Sequence, residues 1–138
     1  MPDQDASRPL IGNVIEESLA DRATLSEVTI LQTWVETATE YHRTPWLERW
    51  TIHRVAVPEE RAAAVAERFR EALDAEHAHA WYVDFNNEDV HYIAFADEVF
   101  RVPRDGEQRY AEAIEHGVKL GIPRYQLDFS PTIEQWER

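Results

Sequence analysis

Two histidines and four neighbours in strand-like segments are the side chains of this sequence from which chemistry could be built. His53 lies in WTIHRVAV (50–57) and His91 in VHYIAF (90–95). Set side by side, the two imidazoles could bind a metal or shuttle a proton, because imidazole titrates near neutral pH. Spacing supplies no third ligand, and a pair of partly buried, hydrogen-bonded histidines explains the same residues. The second set is Arg54, Tyr82, Asp84 and Tyr92, which alternation puts on rows opposite the apolar ones. An arginine and two phenols can hold an anion or a planar ligand, with Asp84 orienting the guanidinium. A solvated sheet face with an Arg54–Asp84 cross-strand pair is the plainer account.

Other patterns carry less. His77-Ala78-His79 can chelate, but it sits beside Glu76 where a helix should end, and reads as a surface turn. Glu16-Glu17, Glu59-Glu60 and Glu88-Asp89 read as solvated pairs without the apolar pocket that raises a carboxyl pKa. Ser7, Ser18, Ser26 and Ser130 lack a nucleophile-elbow context. The four glycines form no phosphate-binding loop. Pro45, Trp46 and Trp50 either close a lid over one sheet end or plug the core beneath a long loop. No catalytic residue is assigned and no cofactor is expected.

The elements that must position these residues follow from periodicity. Leu10–Ala20 places Ile11, Val14, Ile15 and Leu19 at helical spacing and predicts a short amphipathic helix. Thr24–Glu27 has the form of a capping box, with a short turn as the alternative. Val28–Ala38 and Trp50–Val57 predict two strands joined through a loop at 39–48. Pro58 opens a helix that buries Ala62, Val65, Ala66, Phe69, Ala72 and Leu73 and frays near Glu76–His79. Ala80–Phe85, Val90–Phe95 and Val99–Val102 predict a three-stranded meander, with a tight polar turn at Asn86–Asp89. Asp105 caps a last helix with the buried stripe Tyr110, Ala113, Ile114, Gly117 and Val118, and Gly121-Ile122-Pro123 ends it. The tail from Arg124 should pack through Tyr125, Leu127, Phe129 and Trp136. The expected fold is a single α+β domain over 1–138 with residues 1–9 flexible. It has a mostly antiparallel five-stranded sheet, helices packed on one face, and the order α-β-β-α-β-β-β-α.

Composition bounds the function classes. The chain has 138 residues and no cysteine, so disulfides, thiol nucleophiles and Cys-ligated zinc are excluded. Twenty-seven acidic residues against 14 basic ones give a net charge of −13. A phosphate backbone is repelled by such a surface, so no nucleic-acid partner is expected. No apolar run reaches membrane-spanning length and no signal peptide is legible, so a cytoplasmic protein without a membrane partner is expected.

Three segments, TPWLERWTIHRVAV (44–57), AWYVDFNNEDVHYIAF (80–95) with VFRVPR (99–104), and GVKLGIPRYQLDFSP (117–131), resemble a family of small uncharacterised prokaryotic proteins of unknown function. With LIGNVIEESL (10–19) they cover most of the chain. The resemblance implies a stand-alone domain and carries no activity, cofactor or catalytic residue.

The functional expectation is a small non-enzymatic binding module that acts through an open sheet face or its acidic surface, with a homodimer or another protein as partner. One alternative is a small-molecule sensor or small enzyme using the Arg54/Tyr82/Asp84/Tyr92 face. The other is an acidic inhibitor of a basic partner.

Overall fold

The protein is seen here as a computed structural model that describes residues 9–40, 47–74 and 81–129. Six strands, β1 (Leu10–Ile15), β2 (Thr29–Thr37), β3 (Arg49–Val57), β4 (Tyr82–Asn86), β5 (Val90–Phe95) and β6 (Val99–Pro103), form one antiparallel sheet in the order β2-β3-β1-β4-β5-β6. Two helices, α1 (Ala62–Ala72) and α2 (Glu107–Lys119), complete the α+β fold. The expected five strands are therefore six, and the chain order is β-β-β-α-β-β-β-α.

The extra strand is the segment read as a helix. Leu10–Ile15 is extended and pairs with β3 on one side and β4 on the other, and only a short 3-10 turn, Glu16–Ser18, follows it. Helical spacing of apolar residues misled because Gly12 and Asn13 are poor helix formers while Ile11, Val14 and Ile15 favour strands. Gly12 also permits the central contact of the sheet. A Cβ built on it would lie 1.9 Å from the Asp84 carbonyl oxygen and 2.8 Å from the Cα and Cβ of Phe85. Only a residue without a side chain lets β1 and β4 approach so closely.

The remaining elements lie near their expected places. β2 and β3 pair as anticipated, with an irregularity between Ile30 and Gln32. The β4-β5-β6 meander is present, and the Asn87 side chain closes its first turn by accepting from the Asp89 and Val90 amides at 2.9 and 3.0 Å. At 22–27 the chain makes a 3-10 turn begun by Asp21, whose side chain accepts from the Ala23 amide at 3.1 Å, so Thr24 is not a cap. Gly106, not Asp105, precedes α2, and no side chain caps it. The end of α2 follows the sequence reading. Gly121 has φ of 99°, its amide donates to Val118, and the Ile122 amide donates to Gly117 while the Ile122 side chain is buried. This is the pairing that satisfies the last carbonyls of a helix before a left-handed residue.

The two helices pack on opposite faces of the sheet, which corrects the expectation of helices on one face. Paired residues of antiparallel strands share a face. Val55, Val83, Phe85, Tyr92 and Ala94 therefore share the first face, where Val65, Ala66 and Phe69 of α1 complete the core. Phe69 meets Phe85 with ring centroids 6.5 Å apart. Ile93, Phe95, Phe100 and Val102 share the second face with Tyr110, Ala113 and Ile114 of α2, together with Ile122, Leu127 and Phe129. Every residue of β5 is consequently buried. A strand covered on both sides carries apolar residues without alternation, and VHYIAF does so. Of the expected tail contacts, Leu127 and Phe129 are buried and Tyr125 is exposed. Trp136 lies outside the described residues, as do Pro45, Trp46, His77, Ala78 and His79, and all but Pro9 of the flexible end expected at 1–9.

Candidate functional site

Three parts of the molecule bear on function: a polar chain on each face, and the outer strand β2. On the second face, His91 is buried between Asp84 and Tyr110. Its Nε2 is 2.7 Å from Asp84 Oδ2 and its Nδ1 is 2.9 Å from the Tyr110 hydroxyl. A carboxylate only accepts, so Nε2–H donates to Asp84, which leaves Nδ1 to the Tyr110 hydroxyl. The Tyr110 ring stands edge-on to His91 at 5.6 Å and itself is buried. Burial above all, and then the negative field of Asp84, raise the Tyr110 pKa above the ordinary phenol value, against the lowering field of Arg104. The phenol thus holds its proton. The hydroxyl end of this relay is closed to solvent, and the relay fastens α2 to β4 and β5.

On the first face, His53 is also buried and also bridges two partners. Nδ1 is 2.8 Å from Thr33 Oγ1 and Nε2 is 2.8 Å from Glu16 Oε1. Glu16 Oε2 in turn accepts from Arg22 at 2.9 Å. Glu17 holds the adjoining strand: one oxygen accepts from the Thr51 amide at 2.6 Å and the other from the Thr51 hydroxyl at 2.8 Å. Glu16 and Glu17 are therefore not a solvated pair. Glu17 closes the end of β1 by giving the Thr51 amide of β3 the acceptor that a longer strand would have given, and Glu16 ties His53 to Arg22. Thr33, exposed on β2, places a hydroxyl on an imidazole backed by a carboxylate.

The expected ligand set is divided by the sheet. Asn13 pairs with Arg54 on one side and Asp84 on the other, and Gln32 pairs with Arg54, so these four form one row across the second face. Arg54 and Asp84 are separated by β1, roughly 10 Å at the usual strand spacing, and form no cross-strand pair. Tyr82 shares that face but its hydroxyl donates to the Gln126 carbonyl, and its ring packs edge-on against Phe129 at 5.4 Å. Tyr92 lies on the first face, where Arg101 Nε donates to its hydroxyl at 3.2 Å. The four residues do not converge. His53 and His91 do not meet either: they sit on opposite faces, on strands with β1 and β4 between them. Among the described residues no group of three or more His, Cys, Asp or Glu is placed to hold a metal ion.

Sequence reasoning missed Asn13, whose Oδ1 is buried without a hydrogen-bond partner beside Arg54. It also missed Tyr110, Glu16 and Thr33 as partners of the histidines, since contacts between residues 19 to 37 positions apart leave no local pattern. A shallow pocket of about 330 Å³ lies along α2 at Phe100, Arg109 and His116. Arg109 there pairs with Glu112 at 3.0 Å and lies over Phe100, and His116 pairs with Asp97 at 2.9 Å.

The third feature is β2 itself. Among the described residues it is an edge strand of nine residues, paired only with β3, and seven of the nine are exposed. Ile30, Leu31 and Val35 are 44%, 52% and 58% exposed. The opposite edge is guarded. β6 has five residues, ends in Pro103 and turns Arg101 outward, devices that prevent strand addition. β2 has no proline and no lysine or arginine, and Glu36 is its single charge.

Comparison of the chain with protein-family models, with curated proteins and with solved structures returns no match. The resemblance to small prokaryotic proteins therefore gains no support from them. No described helix is long and apolar enough to cross a membrane.

Proposed function

We infer that the protein is a non-enzymatic interaction module whose contact element is β2, and that it takes an extended segment of another polypeptide as an added strand. The observation that carries this reading is the exposure of three large aliphatic side chains on a long, unguarded edge strand. Free main-chain groups along such an edge supply affinity, and exposed side chains of alternate residues supply selectivity. The histidine chains favour this reading over catalysis, because each imidazole is committed on both nitrogens to partners that join secondary-structure elements. The net charge of −13 adds a preference for basic segments, and the earlier alternative of an acidic inhibitor becomes a special case of the same contact.

Selection from a displayed library of extended peptides tests the reading. Enriched peptides should bind the wild type, lose at least tenfold in affinity against Val35→Lys, and slow amide exchange in 29–37. Enrichment that is equal on Val35→Lys, or protection elsewhere only, would refute it.

A second reading rests on one observation. The unpartnered Asn13 Oδ1 next to Arg54, which forms no ion pair among the described residues, marks a place where a small polar ligand could add hydrogen bonds. It narrows the sensor hypothesis to Asn13, Arg54 and Asp84. A thermal-shift screen with small anions tests it: stabilisation should vanish in Arg54→Ala, and a flat response in the wild type would exclude it.

A further inference from the structure

We propose that the strand added to β2 is the β2 of a second copy, paired antiparallel about a two-fold axis through Thr33. The proposal rests on β2 as the contact element and names its partner. Its argument is the self-complementarity of the strand. In a two-fold antiparallel pairing centred on Thr33, Leu31 of one copy stands opposite Val35 of the other, and Gln32 opposite Trp34. No like charges face each other, and like charges directly opposite would destabilise the pairing.

The sheet faces agree with this register over residues 31–35, and the irregularity between Ile30 and Gln32 ends the regular pairing beyond them. Val35 pairs with Thr51 and Thr33 with His53, which puts both on the first face. Leu31 is the unpaired residue of the irregularity between Ile30 and Gln32, two positions from Thr33, and falls on the same side. The two-fold therefore gathers Leu31 and Val35 of both copies into one apolar cluster on one face of a continuous twelve-stranded sheet. A closed two-fold also consumes both edges at once and leaves only the guarded β6 edges outside, so assembly stops at two.

The strength of the contact is bounded. Nine residues a side fall short of the roughly 20–30 a side of a standard interface. Each copy also carries a charge of −13, which opposes approach. The dimer is thus weak, with a dissociation constant of micromolar order or higher, and it tightens as salt screens the repulsion. A basic partner held by charge would show the opposite salt dependence.

Sedimentation equilibrium of the full chain across a wide concentration range, at low and high salt, is the first arm of the test. A reversible monomer–dimer equilibrium that strengthens with salt is expected. A monomer at every concentration and salt level would overturn the proposal, while the peptide selection could still succeed; the two failures are therefore distinguishable. The second arm reads the register. Leu31→Lys and Val35→Glu alone should each weaken self-association at least tenfold. Mixing the two single variants should restore it as a heterodimer, because Lys at 31 then faces Glu at 35 across one half of the interface and Val35 faces Leu31 across the other. Failure of the mixture to associate would overturn the pairing about Thr33, and unchanged dimers in the single variants would overturn β2 as the interface. Both sites are exposed, so melting temperatures of the monomers should stay close to wild type.

Discussion

Replacing Gly12 by alanine tests the central joint of the sheet with one methyl group. The added Cβ would stand 1.9 Å from the Asp84 carbonyl oxygen and 2.8 Å from two backbone-proximal carbons of Phe85. Contacts below 3.0 Å are essentially never made by real Cβ atoms, so β1 and β4 must part by about 1 Å. The obstacle is backbone and not a side chain that can swing away. β1 and β4 are the middle strands of six, so the strain cannot be relieved at an edge. Overpacking of this kind costs about 1–3 kcal/mol, and the upper end applies where backbone must move. Alanine reduces the freedom of the unfolded chain and returns about 0.4–1 kcal/mol. The expected net loss is about 2 kcal/mol, or roughly 5–10 °C in Tm for a chain of this length. Urea unfolding followed by tryptophan fluorescence is the assay, with Cm falling and m unchanged. The same variant should speed amide exchange at Asn13 and Asp84, which flank the joint. A loss below about 0.5 kcal/mol, within the range of ordinary surface substitutions, would refute the close approach of β1 to β4 and with it the strand order.

Two further outcomes follow from the polar chains. Because the folded Tyr110 pKa is raised above its unfolded value, its contribution is fully present below the ordinary phenol pKa and is lost as pH rises through the folded value. Tyr110→Phe should therefore be less stable than wild type by about 1–2 kcal/mol near neutral pH, and the gap should narrow in alkaline denaturation profiles above about pH 10; a constant gap would count against the assignment. Glu17→Ala removes the acceptors of the Thr51 amide and hydroxyl and should cost about 1.5–3 kcal/mol. Glu17→Gln keeps an acceptor for the amide and a donor for the hydroxyl and should recover most of that loss in urea unfolding, whereas equal losses in the two variants would show that charge alone matters.

Local signals made the meander, both helices and the end of α2 readable from the sequence. β4, β5 and β6 are short β-rich runs separated by turns, and the Asn87 turn and the Gly121 stop depend on residues within six positions. β1 was read as a helix because six residues of Leu10–Ile15 are too few to separate the two periods, and its strand form is enforced by partners 37 and more positions away. Tertiary structure alone decided which face each row of side chains joined. His53 with Val55, and His91 with Ile93, each read as a buried row, but both faces of β5 are covered, so burial could not say which side was which. That choice put the two histidines on opposite faces, broke Tyr92 away from Arg54, Tyr82 and Asp84, and gave Asp84 to His91. Alternation along a strand fixes which residues stay together; the side of the sheet they occupy depends on strand order and register, which are set by contacts distant in sequence.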